Sequence, residues 1–187
     1  MGVGAMSGLS ILGWDYLQAC IDAYHRGAEQ AEPIAGALNR RQAVLSMGVN
    51  CHHDSQTAKA VTRDNSLRFL EVIMNWMTRL AKRSDGYAYF AQIETLKAHM
   101  KDFDFLIDTG PYFMVGTPDE LIERCKRMHA MGIDDVIWRI DGMGHENNRK
   151  ALKIIGEQVL PELHSWPEHK ASTPSASLVK SGSSECT

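Results

Sequence analysis

The sequence predicts one α/β domain built on parallel strands, and three observations carry that prediction. Between Tyr112 and Leu163, two short apolar runs alternate with two helical patterns across short connections. That order implies right-handed βαβ units. A third apolar run, Ala43 to Val49 (AVLSMGV), is bounded by polar residues and suits a buried strand of a parallel sheet. The length, 187 residues, allows one real core and is too short to expect two.

The elements follow in chain order. The start, MGVGAMSGLSILGW, is apolar but broken by glycine and lacks a basic flank, so it reads as neither a signal peptide nor a membrane span. Met6 stands where a myristoylation pattern needs Ser or Thr. Trp14 to Arg26 is a helix by the spacing of Leu17, Cys20, Ile21 and Tyr24. Gly27 to Asn39 is a polar linker. After the Ala43–Val49 strand, CHHDSQTAKA reads as a strand end turning into a helix, with Asp54 or Ser55 as N-cap. Leu67, Leu70, Met74, Met77 and Leu80 mark an amphipathic helix whose Met and Trp residues are expected in the core.

Ser84 to Asp108 is mixed, with a short helix around Ile93 to Met100. Tyr112 to Val115 is a strand, and Thr117 to Met131 a helix with Leu121, Ile122, Cys125 and Met128 on one face, ended by Gly132. Ile133 to Ile140 is a strand, DGMGHENN a loop, and Asn148 to Leu163 the final helix. Leu152, Ile155 and Val159 are expected inward there, with Pro161 closing the helix. Residues 165–187 are rich in Ser, Pro and Lys without an apolar period and read as a disordered tail.

Charge and cysteine usage narrow the class. Lys plus Arg number 20 and Asp plus Glu 23, for a net charge of −3, and no long basic run points to nucleic acid or a membrane surface. The four cysteines, Cys20, Cys51, Cys125 and Cys186, form no CxxC pair, which fits a reduced cytoplasmic protein.

Three stretches could carry chemistry. In VGTPDELIERC a glycine precedes a helix, the setting of many phosphate sites. Thr117 as cap, Pro118 in the first turn and Glu120 at the third position instead spell a capping box, and Asp119 and Glu120 would repel an anion. Cys51, His52, His53 and Asp54 are all metal-ligand types, but neighbours on an extended chain point to opposite faces, so no metal site is expected. A histidine there could still line a pocket at a strand's C-terminal end. Arg139, Asp141 and His145 hold the corresponding place after the last strand, where an Arg–Asp pair could simply tie the loop down. No Ser-His-Asp elbow, Walker loop or GxGxxG follows a strand.

The run FMVGTPDELIERCKRMHAMGIDDVIWRIDGMGHENNRKALKIIGEQVLPEL resembles the C-terminal end of the bacterial luciferase-like flavin-dependent monooxygenases. GVGAMS is similar to that family's glycine-rich GLGVLS segment, and AVLSMGVNCHHDSQTAKA to the strand–helix unit after it. The resemblance covers most of residues 2 to 163, is strong in the last 50 of them and looser in the middle, and does not reach the tail. It implies a (β/α)8 barrel, a fold of about 250 residues, of which this chain would hold the C-terminal part: three strands and their helices in residues 1–164, then the tail. It also implies reduced FMN, or the deazaflavin F420, delivered by a separate flavin reductase and used with O2 to oxygenate a small organic substrate. By the GLG match, Gly2, Val3 and Gly4 would lie near the flavin phosphate, while the catalytic residues are not placed. Family members are commonly homo-oligomers. The competing expectations are a non-catalytic barrel fragment that associates with another chain, and an unrelated small α/β binding protein.

Overall fold

Alternating burial and parallel pairing define the sheet in a computed structural model that describes residues 4–8, 10–32 and 41–169, without the side chains at 88, 89, 91, 92, 94 and 95. The strands are β1 (Ala5–Ser7), β2 (Gln42–Ser46), β3 (Gly48–Cys51), β4 (Phe113–Gly116) and β5 (Asp135–Trp138). β1 pairs with β2, β2 with β5, and β3 with β4, all parallel. The expected strand at Ala43–Val49 is therefore present, but it runs longer and is broken at Met47. There the N–H groups of Met47 and Gly48 both donate to the Tyr112 carbonyl, at 2.9 and 3.2 Å. Two donors on one acceptor interrupt the ladder as a bulge does. Gly48 is required at the break, because a Cβ there would meet the Phe113 ring at 2.6 Å. β1 is an additional strand that its glycine-rich surroundings conceal in the sequence.

The order is β1-β2-β5 in one group and β3-β4 in the other, so β5 lies beside β2 and not beside β4. A barrel sets successive strands side by side. The described residues close no barrel.

Helices cover both faces of the β3–β4 pair. Helix α1 (Trp14–Glu29) buries Trp14, Leu17, Ile21 and Ala28, and takes in the first residues of the expected linker. Cys20 and Tyr24 lie half-buried at its edge; linker residues 33–40 lie outside the described ones. Helix α2 (Ser55–Ala81) is one continuous helix that buries Ala58, Thr62, Ser66, Leu70, Met74 and Met77. Trp76, expected in the core, is 55% exposed, since it falls between the turns that point inward. A tight 3-10 stretch (Asp85–Gln92), α3 (Ile93–Lys97) and α4 (Phe103–Thr109) complete that side. Phe113 and Val115 pack there, with Leu70, Met74, Ile93 and Ile107. Met114 points the other way, to a core with Val49, Cys51 and residues of α5 (Pro118–Ala130) and the C-terminal helices.

That C-terminal run starts earlier than the sequence implied and does not stop at Pro161. α6 (His145–Ile154) absorbs the end of the expected loop, a wide turn follows at Ile155–Val159, and α7 (Leu160–His164) continues past the proline. The Leu160 N–H reaches back to Ile155 across the wide turn. Pro161 has no N–H and its ring crowds the carbonyl four residues back, so a π-type turn lets the helix pass it. Ala151, Ile154, Ile155 and Val159 are buried, whereas Leu152 is 54% exposed, one position off the inward stripe. Trp166, inside the expected tail, packs against this core, and residues 170–187 lie outside the described ones. Among the described residues no helix is long and apolar enough to cross a membrane.

Candidate functional site

Parallel α/β proteins build sites where strands end and helices begin, and the described residues hold three such places. At the ends of β3 and β4, two helix N-termini come together. Asp54 caps α2, its Oδ2 accepting from the Thr57 N–H at 2.7 Å and the Thr57 hydroxyl at 2.6 Å. Those two bonds hold its carboxyl below the ordinary value. Thr117 and Glu120 form the reciprocal capping box on α5: Thr117 Oγ1 accepts from the Glu120 N–H at 3.3 Å, and Glu120 Oε2 from the Thr117 N–H at 2.7 Å. The other Glu120 oxygen accepts from the Ser55 hydroxyl at 3.1 Å, joining the two helix starts.

Burial alone would raise the Glu120 carboxyl. The Thr117 and Ser55 hydrogen bonds, with the charges of Arg124 and Lys59, outweigh it and hold the group low. Arg124, only 17% exposed, donates to the Val115 carbonyl at 3.2 Å and lies 3.6 Å from Asp108. Desolvation lowers its pKa against the pull of Asp108 and Glu120. The helix ends that an anion would need are thus filled by the chain's own carboxylates.

The Cys51–Asp54 cluster splits as an extended chain must. Cys51 points into the core, its thiol pushed up to about 12 by burial and by Glu120. His52 accepts the Asp54 N–H on Nδ1 at 3.0 Å, while its backbone N–H donates to the Gly116 carbonyl at 3.0 Å. Among the described residues no three His, Cys, Asp or Glu side chains gather as a metal would require.

After β5, Arg139 Nε and Nη2 both lie 2.7 Å from Asp141 Oδ2, and the guanidinium sits 4.2 Å over the Phe69 ring. The pair ties the loop to the sheet. His145, exposed at the start of α6, joins neither residue. Nearby Tyr112 is buried, and its hydroxyl is pushed up to about 12 by desolvation, with Arg139 opposing.

At β1, Gly4 precedes the strand, and Gly2 and Val3 lie outside the described residues. The strand's C-terminal end is open: a cavity of about 210 Å3 is lined by Met6, Ser7, Gly8, Tyr16, Leu17 and Cys20. A Cβ on Gly8 would meet nothing within 4 Å. A larger cavity, about 600 Å3, lies away from the strand ends between α2 and α3, with Leu67, Met74 and Met100 as apolar lining and Arg68, Glu71 and Lys97 at its polar side.

Sequence reasoning missed the buried pair Asn50–Thr62, in which Asn50 Nδ2 donates to Thr62 Oγ1 at 2.9 Å and the Thr62 hydroxyl donates to the Ala58 carbonyl at 2.7 Å. A polar residue inside the apolar strand run was its only signal. The Ser55–Glu120 link gives no signal, since the partners are far apart in sequence.

No family model matches the chain, and no curated protein sequence matches it. Among solved structures it resembles the monooxygenase RslO1 from Streptomyces bottropensis, with a TM-score of 0.57 and 18% identity. The match covers 87% of this chain and 42% of that one. At this identity the likeness is one of fold, and the chain spans less than half of its neighbour.

Proposed function

We propose that this chain is a flavin-dependent monooxygenase of the luciferase-like kind, working in the cytoplasm on a small organic substrate with O2 and reduced flavin from a partner reductase. The observation that carries the reading is the match of nearly the whole chain, 87%, to part of a monooxygenase fold. The sequence resemblance over most of residues 2 to 163 supports it independently, and in that reading the parallel strands are the C-terminal part of a (β/α)8 barrel. FMN is the first cofactor to test and F420 the second.

The strand ends of a single copy do not by themselves fit a flavin. The ends of β3 and β4 are closed by Asp54 and Glu120. The β1 cavity, about 210 Å3, has no cation in its lining and falls below the ~300 Å3 at which small-molecule sites begin. Gly4 lies at the other end of that strand. Chemistry at the flavin is therefore assigned to no side chain here, and a complete pocket at the strand ends needs walls beyond one copy of the described residues.

The test is a titration of the full chain with FMN, read by flavin fluorescence. Saturable quenching is expected, weakened by Gly8→Leu, whose side chain would fill the β1 cavity. No quenching at millimolar FMN or F420 contradicts the enzyme reading. It would favour the second reading, a non-catalytic chain that acts by association, for which the exposed sheet face described next speaks.

A further inference from the structure

The β1–β2–β5 group is finished on one face and bare on the other. Met6 stands opposite Ala43, Ala43 opposite Asp135, and Leu45 opposite Ile137, so these side chains share a face. Met6 is 57% and Ile137 44% exposed, with Ala43 and Leu45 half-buried between them. The reverse face is covered: Val44 and Ser46 are buried there, with Ser7, Val136 and Trp138 half-buried beside them. Parallel sheets ordinarily have both faces covered.

The bare face continues onto a helix. Two residues beyond Ile137, Arg139 lies over Phe69 of α2. Phe69, Val72 and Trp76 are spaced three and four residues apart, so they form one stripe; Val72 is 65% and Trp76 55% exposed. Arg139 thus bridges the apolar sheet face and the apolar helix stripe, two exposed patches of the kind that marks an interaction site.

We infer that this surface docks a second copy of this chain, face to face about a two-fold axis. Its charged residues pair within the chain, Arg41 with Asp135 at 2.8 Å and Arg139 with Asp141 at 2.7 Å, leaving no net charge to repel an identical face. Isologous packing needs a self-complementary patch, and an apolar sheet face beside an exposed Trp provides one. Met6 belongs both to this face and to the β1 cavity, so the second copy would also wall that cavity. Docking does not depend on flavin chemistry: light scattering reads mass, and FMN fluorescence reads the cofactor.

Size exclusion with light scattering on the full chain is expected to give a dimer at tens of micromolar. Ile137→Lys and Trp76→Lys should each raise the dimer dissociation constant by about thirty-fold or more, with far-UV circular dichroism unchanged. Leu152→Lys, at an exposed leucine of α6, should leave the mass unaltered. If Ile137→Lys loses the fold, Trp76→Lys decides alone, since its side chain stands on the solvent side of a helix. A wild-type chain that stays monomeric, a dimer that neither variant weakens, or a complex with a different polypeptide in place of the second copy overturns the proposal.

Discussion

The β3–β4 pair and the β1–β2–β5 group are parallel sheets in one chain, yet they are finished in opposite ways. Every residue of β3 and β4 is buried, with α2 to α4 against one face and α5 and the C-terminal helices against the other. β5 alternates between exposed and half-buried along its length. The difference follows from what the described residues supply: their helices cover one sheet segment on both faces and the other on one. It teaches that the first half carries the chain's stability, while the second carries its capacity to associate.

Truncation in the covered half should have the largest effect. Phe113 is 1% exposed and packs its ring edge-on to Phe103 and Tyr112, with centroids 5.4 and 5.0 Å away. Phe113→Ala should cost about 3–5 kcal/mol in urea unfolding. Ile137→Ala in the bare half should change monomer stability by under about 1 kcal/mol. Equal losses would erase the contrast.

Thiol reactivity sharpens it next. Burial pushes Cys51 and Cys125 up to about 12, whereas Cys20, beside the β1 cavity, is half-buried. In a Cys186→Ser chain at pH 8, Cys20 should label with a disulfide reagent about a hundred-fold or more faster than the other two. Comparable rates would mean that the β3–β4 core opens readily.

A smaller effect is expected at the joined helix starts. Glu120→Ala removes the capping box and the Ser55 link, and should cost roughly 1–2 kcal/mol. Because its carboxyl is held below the ordinary 4.5 in the folded chain, this contribution is complete above that pH and lost as the pH falls through the lower folded value. Stability curves of wild type and variant should therefore converge in acid. Parallel curves down to pH 3 would show that the hydrogen bonds do not depend on the charge. Arg139→Met should have the smallest effect, up to about 1 kcal/mol, since its partner Asp141 is half exposed.

Local chemistry was the legible part of this molecule. Thr117, Pro118 and Glu120 announce a capped helix, and Asp54 another, because capping depends on residues only three apart. The same reading excluded an anion at VGTPDELIERC, and Glu120 indeed occupies that helix end. What depends on tertiary pairing was not legible. Nothing in IDDVIWRI says that it lies beside Gln42–Ser46 and not beside the strand preceding it in the chain. Trp76 looks like core by its type and neighbours, and only the packing direction of α2 reveals that it faces out. Pro161 is a helix stop by propensity, but a π-type turn let the chain continue, a local adjustment that residue preferences do not report. The chain's fold is similar to part of a monooxygenase, while the flavin, the luciferase-like family and the barrel that the sequence resemblance implies remain proposals.

Hydrogen exchange of the full chain at two concentrations, above and well below the dimer dissociation constant, tests most directly the claim that one half is self-sufficient and the other needs a second copy. Amides of β3 and β4 should be equally protected at both concentrations, whereas those of β1 and β5 should lose protection on dilution. Protection of β1 and β5 that does not change with concentration would contradict the account.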